Sequence, residues 1–332
     1  MSGPRRGMLA ILVPDWCEFR APLDSPQFMS PVFSAFGLAL RFHAPLPGTG
    51  ATTGRLDATV RLAVGEPGEL SAVWTGASGP PHWEADLTDG SRVSLVPGRG
   101  GDWLLQTPTA AFCFSADLHT VLCAPDRPAD AEWKRTLLDT VLICLSLLRG
   151  HQLLHAAAVE LGGKGVAILA PTGASLAVEL CRRRGSLISD DVIALECGAC
   201  GVLAHPGPAV VNLPAKHASL IPELGRLIAS VPSEDELWID VDRAASGPAL
   251  NTVYLLGGST ASGASLGEAA GTVVDLLPEA LALHSDPDST RARFLFYSDV
   301  VDRVAVRPLR RGPGASPSDL ADLVEASVSR SS

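Results

Sequence analysis

The residues best placed to do chemistry begin with an apolar strand, Val166-Ala167-Ile168-Leu169. It leads through Ala170-Pro171-Thr172-Gly173-Ala174-Ser175 into a helical stretch, Leu176-Ala177-Val178-Glu179-Leu180. Strand, small-residue loop and helix in direct succession are the parts of a phosphate cradle, because loop N–H groups and the positive end of a helix converge on one point. Upstream lies His155, and downstream a strand ends in Ser189-Asp190-Asp191. A histidine with one of these aspartates could serve as an acid/base pair. Taken alone, His155 reads as a satisfied structural histidine and the aspartates as solvated turn residues. A further group is cationic: Arg303, Arg307, Arg310 and Arg311 lie on or beside a predicted strand. They read as a solvated face, or as a strip beside a sheet edge able to hold an acidic peptide. Arg182-Arg183-Arg184 reads as the exposed end of a helix, where cations suit the dipole.

Elements on both sides must position these groups. Residues 1 to about 128 carry short, turn-punctuated stretches such as Thr59–Val64 and Arg92–Val96, in which polar and apolar residues alternate as in strands. Leu118–Cys123 reads as one more strand. From Asp130 to Leu148 the apolar residues Trp133, Leu137, Val141, Leu142 and Leu145 fall at helical spacing. After Gly150 strands alternate with helical stretches, the pattern of an α/β layer. Leu153–Leu161 and Gly165–Leu169 read as strands joined at Gly162-Gly163, and Ala177–Arg184 as a helix. Thr252–Leu256 and Val304–Leu309 read as further strands, and Pro317–Ser327 as a closing helix capped by Ser316 with Asp319. Gly257–Gly271 reads as a mobile loop. The expected organisation is a β-rich region over residues 1–128 and an α/β domain over 129–332.

Composition narrows the partners. With 46% apolar and 19% charged residues, the 332-residue chain has ample material for a core. A net charge of −10 works against nucleic acid or an anionic membrane, which need surplus Lys and Arg. The longest apolar run, Leu137–Leu148, contains Asp139 and is shorter than the roughly 20 residues of a membrane span. The expected location is the cytoplasm. The odd number of cysteines forms no disulfide framework, and Cys197-Gly198-Ala199-Cys200 reads as a surface turn, since a zinc site would need a second ligand pair.

The run from His155 to Asp191 resembles the core of the HPr kinase/phosphorylase family and of its smaller relatives that phosphorylate peptides in natural-product pathways. The resemblance matches His155 to a strand-opening histidine, Gly165 to a hairpin glycine, and Ala170, Thr172 and Gly173 to the first glycine, the serine and the second glycine of a G-x-S-G-x-G-K-S loop. It matches Asp190 and Asp191 to paired aspartates that, in the family, bind metal and activate the attacking hydroxyl. Between Ala174 and Ser175 this chain is about three residues short, and the missing ones are the Gly, Lys and Ser that approach, neutralise and chelate around the phosphates. The chain's three lysines are Lys134, Lys164 and Lys216. Lys164 lies roughly 20 Å from the loop along an extended strand at ~3.3 Å per residue.

The resemblance implies a P-loop-type HPr kinase-like α/β domain that follows a β-rich region. It also implies a pseudokinase-like protein that binds a precursor peptide for tailoring enzymes of a ribosomally made natural product, without a cofactor or metal. The alternative is a serine kinase that acts on a peptide with ATP and Mg²⁺ in an unconventional site. New non-phosphoryl chemistry at His155, or a role as a subunit that activates an intact enzyme, stays open, as do the peptide groove and the oligomeric state.

Overall fold

The computed structural model of the chain describes residues 32–330 apart from 43–45, 47, 52–58, 87–90, 131, 170–172, 232–234, 245–246, 259–262, 269 and 284–285. Period-two alternation in the first part builds β1 (Val32–Ala35), β2 (Leu38–Arg41), β3 (Gly50–Ala51) and β4 (Thr59–Val64). A short helix α1 (Pro67–Val73) precedes β5 (Trp83–Asp86), β6 (Arg92–Pro97), β7 (Trp103–Gln106), β8 (Ala110–Phe114) and β9 (Thr120–Pro125). They form one sheet in the order β3-β1-β2-β4-β9-β8-β7-β6-β5, parallel only at β2–β4 and β4–β9. The strand expected from Leu118 starts two residues later, because Leu118 adopts a positive φ of 58° in the preceding turn. The β1–β2 turn is also left-handed, with φ of 51° at Phe36 and 77° at Gly37. Phe36 is buried; its N–H donates to the Pro206 carbonyl at 2.8 Å, and Ser146 Oγ donates to its carbonyl at 2.9 Å.

The expected helix runs as α2 (Glu132–Thr136), a π-helical turn (Leu137–Val141) and α3 (Leu142–Leu148). The Leu142 N–H reaches back to the Leu137 carbonyl, which widens the middle of the helix. Trp133, Leu137, Leu138, Val141 and Leu145 pack in one apolar cluster with Phe33, Leu40 and Phe112 of the sheet and with Leu153, Val192 and Ala194 beyond it. This cluster crosses the sequence boundary at 128.

The remaining chain is mixed α/β. Its elements are β10 (Gln152–His155), β11 (Ala157–Leu161), β12 (Lys164–Leu169), α4 (Gly173–Arg182), β13 (Ser186–Ser189), β14 (Val192–Gly198), β15 (Gly201–His205) and β16 (Val210–Pro214). Then come α5 (Ile221–Leu224), β17 (Gly225–Val231), β18 (Glu236–Val241), β19 (Leu250–Gly258), β20 (Ala264–Leu266), α6 (Val273–Leu276), α7 (Pro287–Arg303), β21 (Ala305–Arg311) and α8 (Pro317–Arg330). A six-stranded sheet has the order β13-β11-β12-β19-β21-β20, with β12–β19 and β19–β21 parallel, and α4 and α8 pack against each other beside it. Two three-stranded sheets, β10-β14-β15 and β16-β18-β17, complete the layer.

Three expectations need correction. Leu153–Leu161 is not one strand: the chain bends at Ala156, so that β10 joins one sheet and β11 another. Both pieces are buried, and a continuous apolar run carries no mark of the change. The segment 257–271 is partly strand, since Gly257 and Gly258 end β19 and β20 pairs with β21. The long helix α7 was not expected. The closing helix is as read, with Ser316 and Asp319 exchanging bonds: Ser316 N–H donates to Asp319 Oδ2 at 2.8 Å, and Asp319 N–H donates to Ser316 Oγ at 3.2 Å.

Candidate functional site

Register brings the predicted residues to one end of the six-stranded sheet. Gly162 and Gly163, with φ of 57° and 80°, close the β11–β12 hairpin at the opposite end. Ala157 therefore faces Ile168 and Ala158 faces Ser189, so the start of β11, the exit of β12 and the exit of β13 lie together. Only residues 170–172 separate Leu169, the last residue of β12, from Gly173, the first of α4. Ala170, Pro171 and Thr172 fall outside the described residues. Gly173 is buried against the strand it has just left; a Cβ there would stand 2.9 Å from the Ile168 carbonyl oxygen. Ala174 is half-buried and Ser175 is exposed on the first turn of α4.

His155 ends β10 opposite Val192, which sets Asp191 beside its ring. His155 Nε2 lies 2.8 Å from Asp191 Oδ1, and Nδ1 lies 3.1 Å from Glu279 Oε2. Glu279 arrives because Leu154 bridges Ala280 and Leu281 N–H donates to the Leu153 carbonyl at 2.9 Å. The Tyr297 hydroxyl donates to the same carbonyl at 2.7 Å, which anchors α7 behind the site. The hydrogen bond to Asp191, then the charges of Asp191 and Glu279, raise the His155 pKa to about 9 against partial desolvation. The imidazole is thus a cation at neutral pH that bridges two carboxylates. Its stabilising effect is complete below the ordinary imidazole value of 6.5 and fades as pH rises through about 9.

Asp190, one residue earlier, points inward and is buried. Its Oδ2 accepts the Asn212 N–H at 3.1 Å, while Oδ1 has no hydrogen-bond partner. Burial, helped by the charges of Asp191, Asp139 and Glu236, pushes its pKa up to about 7. Arg135 neutralises two of those neighbours: its Nε lies 3.2 Å from Asp139, and its Nη2 approaches Glu236 at 3.1 Å, off the hydrogen-bonding direction.

The lysines stand elsewhere. Lys164 begins β12 at the far end of the sheet and donates to the Val328 carbonyl at 3.1 Å. Lys134 is buried beside Trp133, and Lys216 is exposed on the 3₁₀ turn after β16. Among the described residues, the hairpin lysine is held at the far end of the sheet and Asp191 is engaged by the His155 ring.

The arginines do not form one strip on a strand. Arg303 closes α7, pairs with Asp299 at 2.8 Å and donates to the Gly198 carbonyl at 2.7 Å. Arg307 lies on β21 and donates to Ser327 Oγ of α8 at 3.2 Å. Arg311 is held by the Ala315 carbonyl, and Arg310 is exposed. The edge of β21 is covered, because Gly267 and Gly271 donate to the Pro308 and Val306 carbonyls. Of the two cysteines read as a surface turn, Cys200 lies in the β14–β15 turn, whereas Cys197 is a β14 residue paired with Val202; no cluster of three or more His, Cys, Asp or Glu suited to a metal ion occurs among the described residues. No described helix is long and apolar enough to cross a membrane.

Among solved structures, the Hpr(Ser) kinase/phosphatase from Coxiella burnetii aligns at 17% identity over 54% of this chain and 90% of that one, with a TM-score of 0.28. A score of that size leaves the fold family unassigned. No family model and no curated protein matches the chain.

Proposed function

We propose that the chain is a non-catalytic, pseudokinase-like protein that binds a precursor peptide and presents it to tailoring enzymes of a ribosomal peptide natural-product pathway. The observation that carries this reading is the His155–Asp191–Glu279 network, which occupies Asp191 at the end of the sheet from which β12 leaves toward α4. With Asp191 and Glu279 both hydrogen-bonded to the His155 ring, a divalent cation at Asp191 would have to displace that ring. The sequence between Ala174 and Ser175 is about three residues short of the resembled pattern, which removes N–H groups that would meet a triphosphate. The resemblance to kinases whose substrates are polypeptides supplies the class of ligand, and the peptide-natural-product pathway follows from that resemblance alone.

Calorimetric titration with Mg-ATP and, separately, with a candidate precursor peptide tests the reading. The expected result is no heat with Mg-ATP and peptide binding with a Kd of about 1 µM or tighter. A second reading, a serine kinase with an unconventional nucleotide site, is favoured by one observation: Asp190 holds a buried carboxyl near pH 7, the range of a general base. Mg-ATP binding that disappears in Asp190→Asn and Asp191→Asn variants would move the assignment to that kinase.

A further inference from the structure

Helix α7 is seventeen residues long, yet its only fully buried side chains are Tyr297 and Val300. On the opposite side Arg291, Leu295, Ser298 and Asp302 recur at i, i+4, i+7 and i+11, which aligns them along one outward stripe. Leu295 is 58% exposed, Phe294 on its flank 43%, and Val274 of the contacting helix α6 67%. These three are among the most exposed large apolar side chains of the described chain. Of the other charges of α7, Asp286 caps the first turn, Asp299 holds Arg303 and Arg293 has its own interaction, while Asp288 is exposed in the first turn. Arg291 and Asp302 are both exposed, and neither has a partner among the described residues.

We infer that this stripe is a self-complementary interface, on which α7 packs antiparallel against α7 of a second copy about a twofold axis at the level between Phe296 and Tyr297. That axis sets Arg291 of each copy opposite Asp302 of the other. The two residues are eleven positions apart, about 16 Å at 1.5 Å per residue, so both ion pairs form at once. It also sets Leu295 over Ser298 of the other copy, large against small. Ser298 Oγ already donates to the Phe294 carbonyl at 2.8 Å, so its burial strands no hydroxyl. A twofold axis requires one patch to serve as both knob and socket, and a stripe that carries its own opposite charges around an apolar centre meets that requirement. The chemistry selects a second copy because Arg291 and Asp302 stand at positions that a twofold axis exchanges, so each meets the opposite charge on the other copy.

Sedimentation equilibrium of the full chain over about 1–100 µM, the range in which interfaces of modest size associate, tests this. The expected species is a dimer. Arg291→Asp and Asp302→Arg each raise its Kd by about tenfold or more, and the double variant R291D/D302R recovers wild-type affinity at low salt. Leu295→Glu yields monomer. Both charge changes place an acid toward the N-terminus and a base toward the C-terminus of α7, so neither weakens the helix itself. A monomer at every concentration overturns the inference, as does a dimer that ignores the single substitutions or is not restored in the double variant.

Discussion

Asp190 and Asp191 are chemically identical neighbours with opposite fates, because successive residues leaving β13 point to opposite sides: one lies inside, the other on the surface. Asp190 keeps its proton to about pH 7 when folded and loses it near 3.8 when unfolded. The folded state therefore binds the extra proton between those values, and stability falls as pH rises through that window, at about 1.4 kcal/mol per unit. Asp190→Asn keeps an acceptor for the Asn212 N–H and removes the titration. Its stability relative to wild type, measured by urea unfolding, is expected to increase from pH 4 to pH 7 and then level off; a difference that stays flat across this range would contradict the buried carboxyl. His155 and Asp191 were legible as candidates from residue type and position. Glu279 was not, since it lies 124 residues from His155 in a segment with no periodic signal. What brings it there is the single bridge between Leu154 and Ala280.

Among the elements, α4 and α8 are joined by a residue that the sequence suggested was only a solvated helix end. Arg183 Nε donates to Glu179 at 2.8 Å, Nη1 to Asp322 and Glu325 at 2.5 and 3.2 Å, and Nη2 to the Ser318 carbonyl at 3.1 Å. Arg183→Ala leaves Asp322 and Glu325 without their cation and removes the bond to the Ser318 carbonyl, while Glu179 keeps Arg182. A loss of about 2 kcal/mol is expected, read from the urea midpoint. Arg183→Lys should recover only part of it, because an ammonium cannot fork to several acceptors. A wild-type midpoint for the alanine variant would show the cluster to be solvated. Helices α4 and α8 were visible from their apolar spacing, and strands β12, β13, β19 and β21 as short apolar, β-branched-rich runs between breakers. Helix α7 was not, because a helix held mainly by Tyr297 and Val300 carries almost no apolar stripe toward the core.

Across the whole molecule, the sequence marks a change of character near residue 128, where alternating strands give way to α/β pattern, and composition alone cannot show that one apolar cluster spans that point. Arg243 adds a polar tie, its Nη2 donating to the Ser34 carbonyl at 2.7 Å, and Ala209 N–H donates to the Gly48 carbonyl at 2.7 Å. Cutting between the regions would expose Leu137, Leu138 and Leu145 on one side and Phe33, Leu40 and Phe112 on the other. Tryptophan fluorescence and far-ultraviolet circular dichroism are therefore expected to report the same urea midpoint, and a segment of residues 129–332 to unfold without a cooperative transition. Two resolved midpoints would mean independent regions. The left-handed turn at Phe36 adds a statement about time. A bulky residue at positive φ is disfavoured in an isolated hairpin. This one is held by Pro206 and Ser146, 170 and 110 positions away in the chain. The first of the described hairpins is thus among the last to become stable during folding, waiting for partners that the ribosome supplies much later.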